Sequence, residues 1–273
     1  MYRLYRHLAV SVVCVLLSSG VAAAQERRAW FDINFGIGAP TQASYGQQIN
    51  LLQPQYFPLF PEPATYAVRY SFPDGPLFDV SGGAFIGRRW GLGLNMARRQ
   101  REAGAHFLVR LPHPAFSNDF STAEADLTPE LSRQVLAINI PAVVELLPDT
   151  HALQLRLFGG PSYLRVTQDV VRTVSWHQEF DMANRAVNTV TLTGFEPDRA
   201  TEHVWGLHAG ADASTFFTKT VGVGVFARFT RGRAELSDDL AARAINGTAV
   251  GTLQPPTVKL DAFEWGTGLR LRF

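Results

Sequence analysis

Ser175, His177 and Glu179 are the residues whose types and spacing come nearest to covalent chemistry. A hydroxyl, an imidazole and a carboxylate can serve as nucleophile, base and orienting group. Side chains alternate along an extended segment, so positions i, i+2 and i+4 share one face. Such groups are also common on exposed strands, and the expectation is that this chain is not an enzyme. The histidines at 106, 113, 151, 177, 203 and 208 are scattered without ligand spacing. His203 and His208 lie five apart, on opposite faces of a strand, and His208 is expected to point inward beside Asp212. No phosphate loop, dinucleotide fingerprint, nucleophile elbow or zinc motif occurs, so no cofactor and no metal are expected.

A second set of residues carries charge inside segments that are otherwise apolar on alternate positions. It comprises Asp32, Asp79, Glu145, Arg156, Asp212, Arg228, Glu264, Arg270 and Arg272, with Asn95 among them. Charges in a narrow interior are costly unless paired and hydrogen-bonded. Both signs are present, so the spacing predicts an internal salt-bridge network that fills the interior, the alternative being an ion pathway. Glycines on the same faces would leave room for long arginines.

The elements that must position these residues are strands of period two. The last eleven residues show it best: Phe263, Trp265, Thr267, Leu269, Leu271 and Phe273 on one face, Glu264, Gly266, Gly268, Arg270 and Arg272 on the other. About nine to eleven tilted residues cross a bilayer as β-structure. Seven further strands are predicted, beginning near residues 29, 77, 90, 136, 153, 205 and 221. Strand three is the weakest, because the run Ala97-Arg98-Arg99-Gln100-Arg101-Glu102 has no apolar face. Connections alternate long and short: residues 39–76, 111–131, 168–202 and 234–256 are long, and turns such as Pro148-Asp149 are compact. Residues 187–195 should form a hairpin extension beyond the membrane. If they or residues 65–72 joined the wall, the count would rise from eight to ten.

Long loops above and short turns below are the order of an up-and-down membrane barrel with periplasmic termini. In lipid, strands must close on themselves so that no backbone edge is left unpaired. The expected fold is therefore all-β, an eight-stranded antiparallel up-and-down transmembrane β-barrel with long extracellular loops. In such a barrel the apolar rows meet lipid and the charges face the lumen. Trp30, Trp90, Trp205 and Trp265 are expected in two interfacial girdles.

The N-terminus carries Arg3 and Arg6, an apolar run over residues 8–17, and Ala22-Ala23-Ala24. This is the layout of a cleavable secretory signal over residues 1–24, with the barrel domain over 25–273. Cleavage would remove Cys14, the single cysteine, leaving no disulfide framework. Without Arg3 and Arg6, 23 of the 25 basic residues remain against 24 acidic ones. That balance gives no argument for a nucleic-acid partner.

The terminal Leu269-Arg270-Leu271-Arg272-Phe273 and the Val221-Gly222-Val223-Gly224-Val225 strand carry a resemblance across the whole mature chain. The pattern resembles the small outer-membrane barrel family, the OmpA- and OmpX-like transmembrane domains. The resemblance implies the cell outer membrane as location and its lipids as surroundings. It also implies recognition by the barrel-assembly machinery through the final aromatic, a role that Phe273, with Leu271 and Leu269, matches here. The implied function is a structural or surface-interaction barrel with a side-chain-filled lumen. Tyr56, Phe57, Phe60 and Tyr66 in the first long loop are candidates for an extracellular partner whose identity is unknown. Some barrels of this kind modify lipids, so an acylating or deacylating enzyme using Ser175, His177 and Glu179 is one alternative, and a small pore another. A soluble periplasmic ligand-binding barrel is the further alternative.

Overall fold

The computed structural model describes residues 29–42, 44–51, 64–147, 153–235 and 257–273. The expected signal segment, Tyr56, Phe57, Phe60 and the Pro148-Asp149 turn lie outside them. The strands are β1 Ala29–Pro40, β2 Ser44–Leu51, β3 Ala64–Ser71, β4 Gly75–Phe85, β5 Trp90–Pro112, β6 Phe120–Asn139 and β7 Ala142–Glu145. They continue with β8 Leu153–Phe180, β9 Asn188–Phe216, β10 Val221–Arg231, β11 Arg233–Glu235, β12 Thr257–Lys259 and β13 Ala262–Arg272.

Eight strand positions close into a ring in the order β1, β4, β5, β6 with β7, β8, β9, β10, β13, and back to β1, all antiparallel. β6 and β7 are one strand interrupted at Pro141, which has no N–H for the ladder. Register with β5 is unchanged across the break, with Asn95 opposite Asn139 and Leu92 opposite Ala142. The Pro141 carbonyl still accepts from the Gly93 N–H at 2.9 Å.

Closure fixes the shape of the barrel. Ala39 pairs with Phe263, and Phe263 with Phe229. From there the partners run through Ala209, Gly159, Ala142, Leu92 and Ala84 back to Ala29. One circuit therefore slips from residue 39 to residue 29, a shear of ten residues. With a rise of about 3.3 Å per residue and strands about 4.8 Å apart, this shear tilts eight strands by roughly 40°. A ring of that size is narrow enough for side chains to fill.

β5 shows how the surrounding solvent changes along a single strand. In its lower half Leu92, Leu94 and Met96 are exposed outward while Asn95 is buried inward. In its upper half Phe107, Val109 and Leu111 are buried inward, while Glu102 and Arg110 face outward. The parity of the strand never changes; its polarity inverts. The lower half is patterned for lipid outside, and the upper half for water outside.

Above the pair Arg133 and Gln168 the wall divides, because β6 pairs with β8 no higher than this. β2, β3, β5 and β6 continue as one sheet, and β8 with β9 as a tall hairpin. The two pack face to face around an apolar core containing Val68, Phe107, Val109, Leu131 and Val170, with Leu192 and Phe195 partly buried against it. Phe107 and Phe195 rings lie 5.9 Å apart. The Tyr70 hydroxyl accepts from the Val171 N–H at 2.8 Å. Arg185 meets Asp119 at 3.4 Å near the tip.

Several expectations are corrected here. Residues 111–131 and 168–202 are not loops in the main but paired strand, turning only around residues 113–119 and 181–187. Residues 65–72 fall on β3 and its end, which extends the upper sheet and does not widen the ring. The weak third strand is continuous, with Arg99 and Arg101 turned inward at the level where polarity inverts. Trp30 is not in a girdle. It shares parity with Asp32 and is buried in the lumen at 7% exposure.

Candidate functional site

The site is the lumen of the lower barrel. Even positions of β1, β8 and β9 and the matching positions of the other strands point into it, which assembles two ion clusters from seven strands. In the first, Arg156 lies 3.0 Å from Asp32 and 2.8 Å from Asp212, while Arg270 lies 2.5 Å from Asp212. In the second, Arg228 lies 2.8 Å from Asp79 and 2.5 Å from Glu264, and Arg99 lies 2.9 Å from Glu264.

Amides bind the clusters together. Asn34 donates to Asp79 at 2.7 Å and accepts from Arg270 at 2.5 Å. Asn95 donates to Asp79 at 2.6 Å and accepts from Arg228 at 2.7 Å and from Asn139 at 2.6 Å. Each carboxylate of the two clusters meets at least one guanidinium, and Asp79 two amides besides, the arrangement that makes buried charge tolerable. The cavity left among these groups is about 50 Å³, bounded by Trp30, Asp32, Asn95, Arg156, His208 and Arg228. At roughly 10–15 Å³ per water, it has room for about three to five water molecules.

The structure thus brings together eight of the predicted lumen residues: Asp32, Asp79, Glu145, Arg156, Asp212, Arg228, Glu264 and Arg270 are all buried. Glu145 is the register partner of Arg156 and accepts from Gln154. Arg272 is half-buried at the rim beside the β9–β10 turn. Its Nε donates to the Lys219 carbonyl at 3.1 Å and its guanidinium lies 3.7 Å from the Phe216 ring centroid. His208 is inward, but its Nδ1 partner is the Ser162 hydroxyl at 2.9 Å rather than Asp212.

The lumen glycines serve mainly aromatic rings. A Cβ on Gly91 or Gly93 would come within 2.9 or 3.0 Å of the Trp30 indole, and one on Gly266 within 2.9 Å of the Phe226 ring. Gly224 does serve an arginine, with Arg270 Nε at 2.8 Å. Sequence reasoning missed Arg99, Arg101, Arg133 and Trp30 as lumen residues. The parity of β1 and β5 held the signal for three of them, since Trp30 is in step with Asp32 and both Arg99 and Arg101 are in step with Asn95.

Ser175, His177 and Glu179 lie on β8 far above the ring, all exposed on one side despite a bulge between Ser175 and Trp176. His177 approaches Glu179 only to 3.8 Å with both side chains open to solvent, and among the described residues no hydrogen bond joins Ser175 to His177. A base that does not touch its nucleophile leaves these three without the geometry of a relay. Phe273 ends the chain at the seam, where its N–H donates to the Ala29 carbonyl at 2.9 Å and its ring is 55% exposed. Leu269 is exposed on the same outer face and Leu271 partly so.

A closed antiparallel ring, apolar outside and charged inside, defines the class of the fold as a membrane β-barrel. No family model matches the sequence, and no curated protein does. Among solved structures the chain is similar to the outer membrane protein OprG from Pseudomonas aeruginosa. Identity is 9% and the TM-score 0.52, with 91% of this chain and 97% of that one covered. It also overlaps Neisserial surface protein A at 11% identity and a TM-score of 0.43, over 92% of this chain and 100% of that one. The likeness to OprG is one of fold: the chain has the architecture of an outer-membrane β-barrel.

Proposed function

We propose that the protein is an integral barrel of the cell outer membrane, exported through the inner membrane by the signal at residues 1–24, and that it is a structural or surface-interaction barrel rather than a pore or an enzyme. The observation that carries this reading is the filling of the lumen, where two ion clusters leave a cavity of only about 50 Å³. Buried side chains from seven strands occupy the space that a hydrated ion would need. The sandwich above the membrane adds support for surface interaction, because a rigid scaffold raised clear of the lipid is where recognition is usually placed. Kinship with the OmpA- and OmpX-like barrels belongs to the same proposal.

The partners proposed are outer-membrane lipids, met by residues such as Phe35, Leu94 and Val225, and the barrel-assembly machinery, met by the strand ending Leu269, Leu271 and Phe273. Planar-bilayer recording tests the closed lumen. The refolded protein should give no large, stable single-channel steps, and regular steps at low protein load would overturn the reading.

A further inference from the structure

On four neighbouring strands the outward apolar rows stop and a basic patch begins. The rows of β5, β6, β8 and β9 end upward at Met96, Leu136, Tyr163 and Trp205. Two residues further up each strand, on the same outer face, stand Arg98, Gln134, Arg165 and His203. Arg98 and Arg165 are both register partners of Leu136, one on either side of it, and His203 is the next partner of Arg165. Two strand spacings, roughly 10 Å, therefore separate the two arginines. Arg98 Nη2 lies 3.5 Å from Gln134 Oε1, so its guanidinium leans over β6 toward β8.

The patch carries no acidic side chain of its own. Among the described residues no carboxylate pairs with Arg98 or Arg165, and both are exposed. The outward acids of the same strands, Glu102 and Asp169, stand four residues higher, roughly 13 Å away. Asp169 is already engaged by Arg199 and Ser132. Glu202, next to His203, lies on the inner face with Val204. The row above the arginines is uncharged: Gln100, Gln134, Thr167 and Thr201 are partners in turn. One flank is fixed. The Tyr163 hydroxyl and His203 Nδ1 lie 2.8 Å apart, and the Tyr163 and Trp205 rings meet edge to face at 5.4 Å.

We propose that Arg98 and Arg165 clamp a phosphate of a glycolipid in the outer leaflet, with Gln134 and Thr167 between them as hydrogen-bonding partners. The inference rests on the outer-membrane reading, with the tall β8–β9 hairpin on the cell exterior. Two guanidinium forks match the geometry of phosphate. Leu94, Met96 and Leu207 are exposed directly below, so a ligand whose acyl chains run down these rows presents its headgroup at the arginines. A free phosphate ion would gain nothing from those rows.

The test titrates the refolded barrel, in a zwitterionic detergent, with a fluorescent bisphosphorylated lipid A. Its dephosphorylated form, phosphatidylglycerol and inorganic phosphate serve as competitors. Lipid A should bind at least tenfold more tightly than any of the three. Arg98→Gln and Arg165→Gln should each weaken it severalfold, and the double variant should bind the phosphorylated and dephosphorylated forms alike. Arg69→Gln, which removes an exposed arginine high on β3, should bind as the wild type does. All variants should keep the heat-modifiable band, since the exchanged side chains are exposed. Equal capture of lipid A and its dephosphorylated form by the wild type would overturn the proposal. So would undiminished capture by the double variant, or equal competition from phosphatidylglycerol. Absence of the heat-modifiable band from the wild type would instead strike the barrel reading, and this site with it.

Discussion

Arg228 and Glu264 face each other twice over: they are register partners on β10 and β13, and Arg228 Nε donates to Glu264 Oε2 at 2.6 Å. The backbone ladder and the ion pair therefore specify the same alignment of two neighbouring strands. A slip of one residue would move Glu264 to the lipid face along with every other side chain of β13. The lumen charges thus fix strand register as well as filling space.

Removing one partner of that pair tests how much the network holds. Arg228→Ala leaves Glu264 and Asp79 with reduced compensation in a buried site. A loss of about 3–5 kcal/mol is expected from urea titration of the folded, heat-modifiable band.

Trp30 fills the lower end of the lumen, with its ring centroid 4.8 Å from that of Phe85 and lying over the glycines of β4 and β5. Trp30→Ala removes a large buried ring whose niche cannot collapse onto glycine backbone. It should cost about 3–5 kcal/mol in the same titration. In contrast, Trp205→Ala, on the exposed outer face, should cost clearly less.

Asp169 binds the two lobes at their branch point. It accepts from the Ser132 N–H at 3.0 Å and hydroxyl at 2.6 Å, and from Arg199 Nε at 2.9 Å. Partial burial pushes its carboxyl upward, but the bonds from Arg199 and Ser132 outweigh this and hold it below the usual carboxylate range. A depressed folded-state value means that the stabilisation is full above the unfolded value, near 3.9, and is lost as pH falls through the folded one. Thermal midpoints between pH 6 and pH 3 should fall less steeply for Asp169→Asn than for the wild type. A parallel fall would remove Asp169 from the account.

The terminal strand makes a cellular prediction. Deleting Phe273, or replacing Phe273, Leu271 and Leu269 with Ser, should reduce the heat-modifiable form in outer-membrane fractions severalfold. A single exchange at Phe217, exposed in the neighbouring turn, should leave it unchanged. Equal yields from all three would argue against recognition through the C-terminal strand.

The ring was legible because its strands repeat every two residues and because Asp32, Arg156, Arg228 and Glu264 stand out among valines, leucines and glycines. The upper extension was much less so. It keeps the same period with the opposite polarity, so residues such as Thr122, Glu124 and Asp126, which face outward on β6, read as a polar loop. Arg99 and Arg101 sit where one pattern passes into the other, and a stretch at such a boundary shows no apolar face at all. Trp30 was misplaced because residue type was weighed above strand parity. Ion pairs such as Arg156 with Asp32 join strands through closure of the ring, which no local pattern records.

The central claim is that the apolar rows face lipid while the charges face the lumen. The single cysteine, Cys14, lies in the predicted signal, so the mature barrel offers a clean background for spin labels. Labels introduced one at a time at Leu92, Leu94 and Met96, in protein reconstituted into bilayers, should collide readily with oxygen and hardly with a water-soluble nickel chelate. Ready access of the chelate to all three positions, with oxygen no longer preferred, would contradict the account.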